Sequence, residues 1–266
     1  MIFIVGGAGF VGSGFCKACE KLGKDFTVLE PYNYKSFVGQ SCDVLINANG
    51  NSRKFLSRRR PIEDFDASVR TVRASLIDFD YKLYVYLSSC DVYPDCSSPA
   101  TTLESQDLLP EEQSPYGFHK SLAEQCVRHA AGDWLIVRFG GFVGPRLWKN
   151  PIFDILYGDS LWLDPESELQ FLHTEAGAEI VLNLIDRGIL KDLFNVCGGG
   201  VVRLAEVMDW AKRHIPVQPD SPKVRYEINI DKLAGLIEVP KTRDTVEEFV
   251  KTELESNSSD RFPRVR

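Results

Sequence analysis

The chain opens MIFIVGGAGFVGSG (residues 1–14), and this stretch decides the fold. Residues 1–5 form a short apolar run with two isoleucines and a valine, the composition of a buried strand. Glycines follow at 6, 7, 9, 12 and 14, and residues 15–22 have helical character. Strand, glycine turn and helix bring backbone N–H groups and a helix N-terminus to one point, which suits a pyrophosphate. In that arrangement Gly6 makes the tight turn, Gly9 lets the backbone approach the phosphates, and Gly12 lets helix pack on strand. The residues expected against the cofactor here are Gly6, Gly9, Phe10, Val11 and Gly12.

Working outward, residues 25–30 (DFTVLE) predict a second strand ending in Glu30, about twenty positions beyond the glycines. A dinucleotide fold places there the carboxylate that accepts from the adenosine ribose hydroxyls. Glu30 would repel a 2′-phosphate, which favours NAD; Lys35 nearby leaves NADP open. Only residues 31–42 separate this strand from the next (43–49, DVLINAN), near the minimum for a helical crossover. One strand–helix unit is therefore expected to be missing, with one sheet edge trimmed. The polar loop NANGNS (47–52) lies at a strand's carboxyl end, where such sheets bind ligands. The basic run RKFLSRRR (53–60) reads as a solvated loop or helix start, with Arg53 a candidate phosphate contact.

Pro61 opens a helix with acidic residues in its first turn. Residues 82–87 (KLYVYL) predict a strand leading directly into Ser88 and Ser89. A long irregular segment, 94–115, has the character of a substrate-facing loop. A helix over 116–130 and a strand over 133–139 follow. Further helices are expected at 175–186, 204–214, 228–236 and 245–254, a strand at 193–196, and a disordered tail over 253–266.

Tyr116 and Lys120 are four apart on a predicted helix and share a face. An ammonium beside a phenol favours the phenolate and lowers its pKa from about 10. A tyrosine tuned this way exchanges a proton with a hydroxyl or carbonyl oxygen near neutral pH. Ser89, at a strand end, is placed to hydrogen-bond the same oxygen. Ser89, Tyr116 and Lys120 are thus the candidate catalytic set.

Bulk properties set the frame. With 266 residues, the chain accommodates one large domain or a nucleotide domain with a small lobe. A net charge of −7 argues against nucleic acid as partner. No apolar run approaches a membrane span, and the apolar start lacks a basic leader region, so no membrane association or signal peptide is expected. Seven scattered cysteines fit a reducing compartment, and the cytoplasm is the expected location. Cys16 and Cys19 lie inside the first predicted helix and read as packing residues, so no metal site is expected. His119 is expected on a helix surface, His173 in a structural role, and Trp148, Trp162 and Phe153 in the core.

With those residues in view, the sequence resembles an extended short-chain dehydrogenase/reductase of the NAD-dependent epimerase/dehydratase family. GGAGFVG (6–12), VLE (28–30), YLSSCDVY (86–93), SPYGFHKSLAEQ (114–125), VRFGGFVGP (137–145), FLHTEAGAEIVL (171–182) and FNVCGGG (194–200) carry the resemblance in the family's order. The resemblance implies a Rossmann-like doubly wound parallel sheet, with residues 1–144 and 173–200 binding NAD and a small substrate lobe from 145–172 and 201–252. It implies an NAD(P)-dependent oxidoreductase or epimerase acting on a sugar hydroxyl or carbonyl, with a nucleotide sugar as the expected substrate. Hydride transfer at the nicotinamide would pair with Tyr116 as acid/base. Lys120 would also hold the nicotinamide ribose, Ser89 would position the substrate oxygen, and Asn47, Ala48 and Asn49 would run under the cofactor. A homodimer through the Tyr helix and its neighbour is implied by the same analogy.

The departures from the family's pattern matter. Cys90 and Asp91 stand where sugar-nucleotide 4,6-dehydratases carry an Asp-Glu pair, so a dehydratase is not expected. Gly141 replaces a strand-end Asn that contacts the diphosphate in the family, and the stretch after Pro145 is short, so a smaller sugar, a free sugar acid or another small alcohol stays open as substrate beside a nucleotide sugar. Arg146 and Lys149 remain candidate phosphate contacts. The alternative reading is a dinucleotide-binding sensor or scaffold without turnover.

Overall fold

The computed structural model describes residues 1–51 and 53–257. Its core is a six-stranded, wholly parallel sheet of β1 (Ile2–Val5), β2 (Phe26–Leu29), β3 (Ser41–Asn47), β4 (Asp80–Ser89), β5 (Trp134–Phe139) and β9 (Asp192–Val196), in the order β2-β1-β3-β4-β5-β9. Between β5 and β9 lie β6 (Gly141–Val143), β7 (Glu168–Leu169) and β8 (Phe171–His173); β10 (Val202–Arg203) and β11 (Arg225–Tyr226) follow. The order reverses between β1 and β3, and that switch point opens a crevice beyond the strands' carboxyl ends. Among the described residues no strand lies beyond β2 in this sheet, so the edge is trimmed as expected. Only the four-residue α2 (Tyr34–Phe37) fits into the connection from β2 to β3.

Burial on both faces explains the near-continuous apolar strands. On one face α1 (Phe10–Lys21) and α8 (Thr174–Asp186) pack around Phe15, Ile46, Val137 and Val181. On the other, α5 (Thr71–Asp78) and α6 (Pro115–Ala130) pack on Leu45, Val72, Tyr84 and Val127. The expected helix from Pro61 is present as α4 (Pro61–Phe65), a π-helical turn (Asp66–Arg70) and α5, after a separate α3 (Lys54–Arg59). A second apolar core joins α7 (Pro151–Tyr157), α9 (Leu204–Ala211) and α11 (Thr242–Asn257) through Ile152, Val207 and Phe249. The short strands order as β10-β7-β11, and β6 pairs with β8.

Several local expectations are corrected. Helix α1 starts at Phe10 rather than 15, because the glycines at 12 and 14 are tolerated where the helix lies against other backbone. The helix expected over 228–236 shrinks to α10 (Asp231–Ala234), and α9 stops at Ala211 where Lys212 adopts a left-handed conformation. Helix α11 continues through Asn257, so the tail expected from 253 begins as helix; residues 258–266 lie outside the described residues. Trp148 and Trp162 are 46% and 64% exposed and are not core residues. The irregular segment after β4 is pinned rather than free. Thr102 is buried and its carbonyl accepts from Asn195 Nδ2 at 2.7 Å, while Glu104 accepts from the Asn195 N–H at 3.0 Å. Among the described residues no helix is long and apolar enough to cross a membrane.

One buried ion pair ties these layers together. Glu124 of α6 takes a two-pronged contact from Arg138 of β5, Nε to Oε1 at 2.9 Å and Nη2 to Oε2 at 2.7 Å. Ser88 adds a third hydrogen bond to Glu124 at 2.6 Å, and Arg138 Nη1 reaches the Tyr93 hydroxyl at 2.9 Å. Both charges are buried, so removing one leaves the other uncompensated. Glu124→Gln is expected to lower the unfolding free energy by about 3 kcal/mol, measured by urea denaturation at pH 7; a loss comparable to that of an exposed carboxylate variant such as Glu63→Gln would contradict it.

Candidate active site

The glycine loop connects β1 to α1, as its sequence demands. Gly6 has φ +78°, and a Cβ on Gly12 would sit 2.2 Å from the Gly6 carbonyl oxygen. Only glycine allows the first turn of α1 to close on the loop, which leaves a cradle open to a phosphate-sized group. Phe10, Val11 and Gly12 form that first turn, and Gly9 is its N-cap. Glu30 follows β2 directly and reaches back to the loop, where Oε1 accepts from the Ala8 N–H at 2.6 Å. The residues present therefore fit a dinucleotide at the switch point.

The loop after β3 closes the other side of the crevice. A Cβ on Gly6 would lie 3.2 Å from Asn49, so the two loops touch. Asn47 is fully buried: its Nδ2 donates to Tyr84 Oη at 2.8 Å and to Ser75 at 3.0 Å, and its Oδ1 caps the Asn49 N–H at 3.0 Å. Its side chain therefore shapes the loop after β3, and the Ala48 N–H donates to the Val5 carbonyl at 2.9 Å. Further on, Asn51 Nδ2 donates to Asp64 Oδ1 at 2.6 Å, and Asp64 Oδ2 lies 2.6 Å from His119 Nδ1. Asp64 is only 1% exposed. His119 is thus not a surface residue; it anchors α6 to the helix that starts at Pro61 and, through Asp64, to the loop under the crevice.

Helix α6 carries the candidate pair. Ser114 caps it, accepting from the Gly117 N–H at 3.1 Å, and Pro115 occupies its first position. Tyr116 and Lys120 are both buried on one face, and Ser89 ends β4 beside them. The lysine ammonium donates to the Leu87 carbonyl at 3.1 Å and lies 5.1 Å above the Tyr86 ring. A Cβ on Gly50 would be 3.3 Å from it, so Lys120 borders the loop after β3. Burial pushes Lys120 down to about 8, against the pull of Glu124, Asp64 and Asp91.

The phenol behaves differently from the sequence expectation. Burial raises the Tyr116 pKa, Asp91 and Asp64 raise it further, and a hydrogen bond with Ser89 opposes them. Desolvation outweighs the ammonium, which is engaged with a carbonyl and a ring face instead. At neutral pH Tyr116 is therefore a protonated phenol, a proton donor toward a nearby oxygen.

Asp91 is the residue whose role sequence reading missed. It appeared there only as a departure from an acidic pair. In the fold its Oδ2 accepts from Ser89 Oγ at 3.0 Å and its Oδ1 from Lys54 Nζ at 2.7 Å. Nothing in the local sequence around Lys54 predicts that contact across 37 residues. Gly141, where the family's pattern has Asn, has no room for a side chain: a Cβ would meet the Gln170 carbonyl at 2.7 Å and the Phe171 ring at 2.8 Å. His173 caps α8, accepting from the Glu175 N–H at 3.3 Å.

The depressed lysine has a measurable consequence. Lys120 is protonated in both folded and unfolded chains below about 8. Between there and the ordinary lysine value the unfolded chain binds more protons, so this residue's destabilising effect fades as pH rises. Lys120→Met is expected to be more stable than wild type at pH 7, with the gap closing by about pH 10; urea denaturation at both pH values decides, and a gap that widens with pH would be incompatible.

The comparisons agree with this architecture. The UDP-galactose 4-epimerase structure superposes with TM-score 0.77 at 20% identity, covering 96% of this chain and 99% of that one. RMD from Pseudomonas aeruginosa complexed with NADPH gives 0.78 at 18%, covering 96% and 99%. The dTDP-glucose 4,6-dehydratase from Bacillus anthracis in complex with NAD gives 0.74 at 18%, covering 97% of each chain. At such identities the likeness shows the fold. A search of the curated proteins finds no match. The family whose profile matches residues 2–197 is the NAD dependent epimerase/dehydratase family, and on a glycine cradle, a switch-point crevice and a sequence match over most of its length, this chain belongs to that NAD-dependent family.

Proposed function

We propose that the protein is an NAD(P)-dependent oxidoreductase or epimerase acting on a sugar hydroxyl or carbonyl, with a nucleotide sugar as substrate. The observation that carries this reading is the convergence of Ser89, Tyr116 and Lys120 beside the loop that borders the glycine cradle. Gly6, Gly9, Phe10, Val11 and Gly12 would hold the pyrophosphate, Glu30 the adenosine ribose, and the backbone of Asn47, Ala48 and Asn49 the floor beneath it. When bound, the nicotinamide supplies the hydride-accepting or hydride-donating carbon. Ser89 would hold the substrate oxygen, and Tyr116 would pass its proton to that oxygen or take one from it. Lys120, charged near neutral pH, would stabilise the phenolate left behind.

The structural neighbours support a sugar substrate, since they include a UDP-galactose 4-epimerase and a dTDP-glucose 4,6-dehydratase. Among these chemistries, elimination of water fits least. Position 90 is a buried thiol, and Asp91, the one carboxylate there, is already engaged by Lys54 and Ser89. A homodimer through α5 and α6 is part of this reading, supported by the exposure of Ile77 on α5.

Two variants separate chemistry from cofactor binding. Tyr116→Phe is expected to lose about 10²–10⁴-fold in turnover with NADH affinity retained, followed by NADH fluorescence and by screening nucleotide sugars and sugar acids. Wild-type protein that binds NADH but turns over none of these would favour the sensor or scaffold reading. Gly12→Ala is expected to abolish NADH binding while the protein stays folded by circular dichroism; retained affinity would remove the cradle from the site.

A further inference from the structure

The ends of β4 and β9 bring two thiols into contact across β5. Cys90 directly follows Ser89, and Cys197 directly follows β9. They are 107 residues apart in the chain, yet their Sγ atoms lie 3.6 Å from each other. Both are buried in an apolar cluster with Val92, Tyr93 and Ile228. Gly140, just after the intervening β5, makes room for the pair: a Cβ there would sit 2.8 Å from the Cys197 Sγ. The Cys90 Sγ also donates to the Arg138 carbonyl at 3.3 Å. A third thiol, Cys96, is partly buried at the rim and donates to the Cys90 carbonyl at 3.5 Å. None of the three has a part in the proposed proton transfer.

Thiols already in van der Waals contact need to close by only about 1.5 Å to reach the length of an S–S bond. Burial, reinforced by Cys197, holds the Cys90 thiol protonated, so the pair rests as two thiols and reacts slowly. Burial also keeps out bulky oxidants such as glutathione disulfide, which leaves peroxides small enough to enter. In a reducing compartment such a bond is transient and redox-sensing rather than a permanent staple.

We propose that Cys90 and Cys197 are a redox modification site, which hydrogen peroxide converts into a reversible disulfide. One thiol attacks the peroxide: an S–O bond forms as the O–O bond breaks, which gives a sulfenic acid and releases water. The second thiol then attacks that sulfur: the S–S bond forms, the S–O bond breaks and a second water leaves. The two sulfurs together lose two electrons, and the peroxide gains them. The bond acts on the site through the chain. Ser89 and Asp91 flank Cys90, and Asp91 is tied to Ser89 Oγ twice, its Oδ2 accepting at 3.0 Å and its N–H donating at 3.2 Å. Drawing the Cys90 sulfur toward β9 turns this short segment and Ser89 with it. The disulfide does not depend on the proposed function; its effect on turnover rests on that reading.

The test treats the full chain with hydrogen peroxide, blocks remaining thiols, digests without reduction and maps cross-linked peptides by mass spectrometry. A Cys90–Cys197 peptide that disappears with dithiothreitol is expected in wild type and in Cys96→Ser, and is expected to be absent from Cys197→Ala. Turnover followed in parallel should fall about a hundredfold on oxidation of wild type, return with dithiothreitol, and stay unchanged in peroxide-treated Cys197→Ala. Treated wild type that yields no Cys90–Cys197 peptide, or that joins Cys90 to Cys96 instead, would overturn the site. A mapped disulfide that leaves turnover intact would remove its effect on Ser89. A mapped disulfide in a protein that turns over no nucleotide sugar or sugar acid would uphold the modification site and defeat the proposed function.

Discussion

The buried pair between Glu124 and Arg138 is the interaction on which the site's geometry depends. It joins the middle of α6 to β5, and Ser88 brings β4 into the same contact. Ser89 follows Ser88, and Tyr116 and Lys120 lie up to two turns before Glu124 on the same helix. The ion pair therefore sets how far the phenol and the ammonium stand from the end of β4. Burying two charges is costly unless their remaining hydrogen bonds are met. Here Ser88 and Tyr93 meet them, and Tyr93 passes the connection to Asn195 of β9 at 2.9 Å. One polar network thus spans three adjacent strands and the helix above them.

A second set of polar ties fixes the opposite wall. Asn47 holds the loop after β3 from beneath, and Asp64 joins Asn51 to His119. The helix bearing the catalytic candidates and the loop that borders the cofactor crevice are consequently parts of one rigid unit. Tyr116 and Lys120 are buried where their charged forms are disfavoured, which leaves the phenol protonated and the ammonium only modestly above neutrality. Such strained protonation equilibria cost stability and are common where proton transfer is required.

Much of the fold was legible because its signals are local. The glycine spacing, the apolar strands and the short link from β2 to β3 each follow from a few adjacent residues. The trimmed edge needed only chain length, since no full strand–helix unit fits in that link. Element ends were less legible. Helix α1 starts earlier because tertiary contact with other backbone rewards its glycines, and α11 outruns the expected tail. His119 shows the same limit: one histidine on a helix reads as exposed until the helix from Pro61 brings Asp64 against it. Trp148 and Trp162 err the other way, since a large ring is usually buried and nothing in their neighbourhood says otherwise.

By itself the sequence determined the cofactor-binding architecture and the candidate Ser–Tyr–Lys set, because turn chemistry and helical spacing act over a few residues. The tertiary structure alone decided the protonation of Tyr116, the engagement of Asp91 by Lys54, and the gathering of Arg53 and Lys149 about Trp148. Those properties arise from burial and from charges far apart in the chain. Desolvation and Coulomb interactions depend on distance in space, which spacing along a sequence does not encode.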